Sequence, residues 1–116
     1  MKVELPDWVT EFPGGVTVSG KDGTILYLND RAAKTFEADG GRSLVGKDLM
    51  ACHRKDRSRE IIKRIMDTEE PNAYTIEKGG LRKLIFQAPW YVEGEPAGLV
   101  ELSLVIPDEM PHFKRD

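Results

Sequence analysis

At 116 residues, with 40% apolar and 32% charged side chains, the chain is long enough for one hydrophobic core and too short for two. Its composition is that of a folded domain and not of a disordered tract. A net charge of −3 argues against a nucleic-acid partner. No apolar run approaches the roughly 20 residues of a membrane span, the N-terminus lacks a signal-type apolar region, and the single Cys52 excludes an internal disulfide framework and suits a reducing cytoplasm.

Residues 1 to 15 carry Pro6, Pro13 and the Gly14-Gly15 pair around Trp8, Val9 and Phe12, which predicts a short N-terminal helix or arm covering one face of the domain. Val16 and Val18 then alternate with Thr17 and Ser19, and Ile25 to Leu28 follow after Lys21-Asp22-Gly23. Asp-Gly between two such runs predicts a hairpin, because glycine takes the positive φ that the turn requires. Asn29 and Asp30 offer side-chain oxygens to cap a helix start, and Ala32, Ala33 and Phe36 give that helix one apolar face. Asp39-Gly40-Gly41 closes it, and Ser43 to Leu49 begins another short turn or helix.

A longer helix is predicted from about Ser58 to Thr68. Its stripe is Ile61, Ile62, Ile65 and Met66, with Arg59, Lys63, Arg64 and Asp67 toward water and Pro71 marking the end. Three strands follow, Ala73 to Lys78, Leu81 to Tyr91 and Ala97 to Ile106, separated by Gly79-Gly80 and by Glu93-Gly94-Glu95-Pro96. Leu84, Phe86 and Ala88 share one face of the second. Val100, Leu102, Leu104 and Ile106 share one face of the third, with Glu101 and Ser103 on the other. Pro89 predicts an edge or a bend. No internal repeat or low-complexity segment interrupts this order.

Two strands, several short helices, a longer helix and three strands form a recognisable order. It carries Asp22-Gly23-Thr24-Ile25 with Tyr27-Leu28-Asn29, the Ala32-Ala33-Phe36 helix, and Val45-Gly46-Lys47-Asp48-Leu49. Together these resemble the PAS domain family, and Gly94 to Ser103 resembles its penultimate turn and final strand. The resemblance runs from about Gly15 to Ile106. It implies an α+β fold with a five-stranded antiparallel sheet and helices packed on one face. The division it suggests is a flanking arm over 1–14, the domain over 15–107 and a tail over 108–116.

The resemblance further implies a pocket for a small apolar ligand between the sheet and the longer helix. The residues placed to line it are Leu49, Ile61, Ile65, Met66, Ile76, Leu84, Phe86, Leu102 and Leu104, with Cys52 and His53 close by. The alternative, which the ordinary role of apolar stripes favours, is that the same side chains simply fill the core. Homodimerisation through the outer face of the sheet and the N-terminal flank is also implied, with Trp8, Val9 and Phe12 as the contact and Trp90-Tyr91 as a second cluster. The alternative is that the arm caps its own sheet and that Met110-Pro111-His112-Phe113 tucks back likewise. No output segment follows Ile106, so the chain is expected to act in trans on a signalling kinase or transcription regulator, or as one piece of a larger protein.

Cys52 and His53 are the adjacent pair with chemistry of their own. A flavin photosensor of this superfamily uses a cysteine within a motif resembling GxNCRFLQ, whereas Cys52 lies six residues beyond Gly46 and lacks that context. A haem sensor would place its axial histidine on the long helix. His53 precedes that helix and His112 lies in the tail, so a haem- or flavin-bearing redox or gas sensor using His53 or Cys52 is kept as the alternative reading but disfavoured, and no cofactor is required by the sequence. A thiolate at Cys52, favoured by His53, Arg54 and Lys55, would lack a resolving cysteine, and two Cys/His residues fall short of a zinc site. The run from His53 to Arg59, broken by Asp56 and without aromatics, reads as a solvated helix entry and not a nucleic-acid patch. Without a P-loop, GxGxxG, HExxH or GxSxG motif, no catalytic residue is named and a non-enzymatic sensor is expected.

Overall fold

Three chain reversals build the sheet, each where the sequence supplies residues able to take positive φ. Asp22 Oδ1 accepts a hydrogen bond from the Thr24 amide at 2.9 Å and Gly23 adopts a φ of 87°, which turns β1 (Gly15–Gly20) into β2 (Ile25–Leu28). Gly79 and Gly80, at 60° and 78°, join β3 (Asn72–Lys78) to β4 (Leu81–Val92). Glu93 and Gly94, at 50° and 82°, join β4 to β5 (Glu95–Ile106). Two consecutive left-handed residues give the turn whose twist matches that of the flanking strands. The last loop is shorter than its sequence suggests, because Glu95 and Pro96 already pair with Val92 and Tyr91.

In the computed structural model, which describes residues 4–48 and 58–116, the strands form one antiparallel sheet in the order β2-β1-β5-β4-β3. The α+β architecture is the one implied by the order of sequence elements. The described helices are α1 (Asp7–Thr10), α2 (Asp30–Thr35) and α3 (Ser58–Thr68), with 3-10 turns at Glu37–Asp39 and Gly41–Leu44. The free edge of β2 is closed by the following segment, where Ile25 N donates to Lys47 O at 2.8 Å and Gly46 N to Ile25 O at 2.7 Å. Pro89 is accommodated because β3 begins opposite Gln87. Beyond that point β4 has β5 alone beside it among the described strands, the edge setting in which a strand proline is tolerated.

Both faces of the sheet are covered. On one, α3 inserts Ile62 and Ile65 against Ile25, Leu28, Ala32, Leu44 and Leu99. A register shift between Val18 and Ser19 lets Ile25 and Leu28, three residues apart, reach the same face. On the other, the N-terminal arm packs Val9, Leu5 and Phe12 against Val16, Val18, Val100 and Leu102. Strand pairing fixes the remaining orientations, since directly opposed residues share a face. Leu84 stands opposite Leu104 and Phe86 opposite Leu102. All four therefore look away from α3, the reverse of the sequence expectation. Reading the more apolar alternation as the helix side presumes that the other side is wet, and here the arm dries it.

Asn29 sets the arrangement of arm, β1 and α2. Its side chain is fully buried, and its Nδ2 donates to Val9 O at 3.0 Å and Gly14 O at 2.8 Å. Its Oδ1 accepts from Val16 N at 2.9 Å and from Ala32 N at 3.0 Å, the latter capping α2. Asp30 does not share the capping and instead pairs with Arg42, whose Nη1 also donates to Leu28 O at 3.1 Å. At the opposite end of β1, the Trp90 indole donates to Ser19 O at 2.9 Å. Gly98 makes room for it, since a Cβ there would collide with Ser19 O and lie 2.6 Å from Trp90 Nε1.

Asn29→Ala strips partners from four buried backbone groups and is expected to lower stability by about 3–5 kcal/mol, read as a fall in the urea midpoint. Gly98→Ala is expected to cost about 2 kcal/mol through overpacking and to shift the Trp90 emission as its bond to Ser19 is lost. The Thr24 backbone amide holds the Asp22 carboxyl below its ordinary value of 3.8. A depressed folded-state value contributes stability above the unfolded value that disappears as pH falls through the folded one. Side-chain NMR titration should therefore place Asp22 below 3.8, and Asp22→Ala should remove that part of the acid dependence.

A pocket between the second helix and the sheet

Alternation along the strands sends Thr17 of β1, Glu101 and Ser103 of β5, Lys83 and Ile85 of β4, and Tyr74, Ile76 and Lys78 of β3 to the helix side of the sheet. There, with Gly15, they line a cavity of about 170 Å³. Its roof is Ala32, Thr35 and Phe36, from α2 and the residue that ends it. Gly15 and Ala32 face each other where helix and sheet meet: a Cβ on Gly15 would press on Ser103 Cβ at 3.3 Å and reach ordinary contact with Ala32 Cα at 3.7 Å. Phe36, Ile76 and Ile85 supply apolar surface, while Thr17, Thr35 and Ser103 supply hydroxyls, so the cavity combines an apolar body with a few orienting polar groups, as ligand sites do.

One polar row crosses the sheet at the edge of this cavity. Asn72 Nδ2 donates to Gln87 Oε1 at 2.9 Å, and Gln87 Nε2 donates to Glu101 Oε1 at 2.7 Å. The three residues stand in register on β3, β4 and β5, with Thr17 next in line on β1. The Gln87 amide bridges a donor and a carboxylate, which fixes its orientation and holds the Glu101 head group in place. Lys83 and Lys78 lie toward the β3–β4 turn, so opposite charges line opposite ends of the cavity.

Of the residues that the sequence placed around a pocket, Ile76 lines this cavity. Ile65 is buried in the α3 core, with Ile61 and Met66 packed against that core. Leu84, Phe86, Leu102 and Leu104 belong to the other face. The cavity thus lies beneath α2, whereas a site beneath the longer helix was expected, because Ile62 and Ile65 fill the space under α3 with Ile25, Leu28 and Leu99. Leu49, Cys52 and His53 lie outside the described residues. Glu101 and Ser103 were visible in the sequence as the polar half of the β5 alternation, but that pattern by itself reads as solvent exposure. Lys83, Thr17 and Thr35 carried no signal, since nothing local ties them to one another.

Of the residues expected at a dimer contact, Val9 is buried within its own chain and Phe12 packs into the same cluster. Trp8 meets Phe12 edge-on at 5.7 Å and remains 67% exposed. The arm therefore covers its own sheet and presents Trp8 outward. Trp90 is held by Ser19, whereas Tyr91 is exposed. Among the described residues no group of three His, Cys, Asp or Glu side chains converges as a metal site would.

No family model matches the chain, and no curated protein does either. Solved structures share its architecture. A domain of an HTR-like protein from Haloarcula marismortui superposes with a TM-score of 0.60 at 22% identity, covering 82% of this chain and 99% of that one. The PAS domain of the histidine kinase ThkA gives 0.64 at 17% identity, covering 78% and 97%. VqmA bound to DPO gives 0.67 at 12% identity over 85% of this chain, which corresponds to 54% of VqmA. At such identities the likeness is one of backbone architecture, and it is to domains that include a named PAS domain: this chain has the PAS fold.

Proposed function

We propose that the chain is a sensory domain in which a small molecule occupies the cavity under α2 and alters contacts with a second copy of the chain or with a signalling kinase or transcription regulator. The observation that carries this reading is the cavity itself. It is lined by apolar side chains and edged by the hydrogen-bonded Asn72–Gln87–Glu101 row. Among proteins of the same fold, one is the PAS domain of a histidine kinase and another was solved with DPO bound.

The geometry supplies a route for the signal. The roof of the cavity is α2, and the Asn29 that caps α2 also bonds Val9 and Gly14 of the arm. A ligand that shifts α2 thus acts on the residue that seats the arm on the opposite face of the sheet. That face carries Trp8 together with Leu84, Phe86 and Leu104, partly exposed apolar side chains suited to a homodimer contact. No helix among the described residues is long and apolar enough to cross a membrane. A cytoplasmic protein that binds and does not turn over its ligand, with neither haem nor flavin, is part of the same proposal.

Native mass spectrometry of the purified protein tests both halves. Wild type is expected to retain a small-molecule adduct and to populate a dimer. Ser103→Leu, which fills the cavity, should lose the adduct while keeping its thermal midpoint within a few degrees of wild type. An adduct equally abundant in Ser103→Leu would remove the cavity from consideration, and a strictly monomeric protein would remove the dimer.

A further inference from the structure

We propose that the cavity under α2 takes a small monocarboxylate with a ring-sized apolar body, its carboxylate on Lys83 and a hydrogen-bond donor at its far end on Glu101; this rests on reading that cavity as a ligand site. Size comes first. A dry engineered cavity of about 150 Å³ accommodates benzene, so a cavity of about 170 Å³ fits one ring with a small substituent. Phe36, Ile76 and Ile85 give the ring its apolar contacts.

Charge then selects the head group. Lys83 is half-buried and lines the cavity, and the residues opposite it on the neighbouring strands are Ile76 and Val105. The described ion pairs, Arg42 with Asp30 and Arg82 with Glu77, leave Lys83 without an acidic partner among the described residues. An ammonium that lines the cavity without an acidic partner is open to a counter-charge, and a ligand carboxylate supplies one through a charge-assisted hydrogen bond. Lys78, diagonal to Lys83 at the same end, raises the local positive charge.

The opposite end fixes the polarity of binding. Gln87 stands four residues from Lys83 along β4, a separation of roughly 13 Å at the rise of an extended strand, and its Nε2 donates to Glu101 Oε1. The remaining Glu101 oxygen can accept from a ligand hydroxyl, whereas a carboxylate turned toward it would meet like charge. The molecule therefore enters with one orientation only.

Calorimetric titration with three probes of the same body separates the class of ligand from the existence of the site: 4-hydroxybenzoate, 4-hydroxybenzyl alcohol and 4-hydroxybenzylamine. The acid is expected to bind tightest to wild type. Lys83→Met should weaken it by roughly 10- to 100-fold, the range for losing a hydrogen bond to a charged group. Lys83→Arg should retain most of the affinity, and the alcohol should respond to neither substitution. If the alcohol or the amine binds as tightly as the acid, or if the acid ignores Lys83→Met, the monocarboxylate assignment fails while the site stands. If none of the three binds and none perturbs the Ile76 and Ile85 methyl resonances, site and assignment fall together. Should Lys83→Met not fold, the ranking of the three probes on wild type decides.

Discussion

Asn29 is where three parts of the molecule are tied together. A primary amide has two donors and an acceptor oxygen able to take two bonds, and all of that capacity is used: two carbonyls of the arm, one amide of β1 and one of α2. The site is dry, so each bond is made at low dielectric and any vacancy would leave a buried polar group unpaired. Aspartate would keep the acceptors and set a carboxylate against two carbonyls, and serine would lose the reach. The requirement for asparagine is thus a matter of hydrogen-bond arithmetic, and the seat of α2, with the cavity beneath it, follows from it.

The arm on the far side of the sheet changes what the strands must be. A sheet with one wet face divides into apolar and polar sides, but here β1 is buried on both. Val16 and Val18 lie against the arm, and Thr17 and Ser19 lie on the helix side. The Trp90 indole reaching across Gly98 to Ser19 O adds a directional bond on the arm side, at a point where glycine alone leaves room. With the arm side filled by aliphatic and aromatic groups, the helix side is free to carry hydroxyls, amides and charges. That is where the polar row and the cavity occur.

The cavity lies under α2 rather than α3 for a packing reason. The α3 face is closed by interlocking Ile62, Ile65 and Leu99, and densely packed aliphatic side chains leave little room for an occupant. The α2 face meets the sheet through small groups, Gly15 and Ala32, and the cavity lining runs from there to Lys83 and Tyr74. Since Asn29 binds α2 and arm alike, the roof of the cavity on one face and the arm on the other are held by a single residue.

Much of this was legible in the chain. Asp22-Gly23, Gly79-Gly80 and Glu93-Gly94 announce their reversals because positive φ is a local demand, and Ser58 to Thr68 announces its helix because a 3.6-residue stripe is a local pattern. Asn29 was recognisable as a helix cap for the same reason. Its bonds to Val9 and Gly14 were not, since they span 20 and 15 residues. The orientation of β4 and β5 was misread because period-two alternation names two faces without saying which one the helices cover. Lys83 and Glu101, 18 residues apart in the chain, meet one cavity through strand register alone. The sequence by itself determined the elements, their order and their turns, because these rest on interactions between near neighbours. Only the tertiary structure decided which face is which and where the cavity opens, because both depend on pairing and covering by segments distant in the chain.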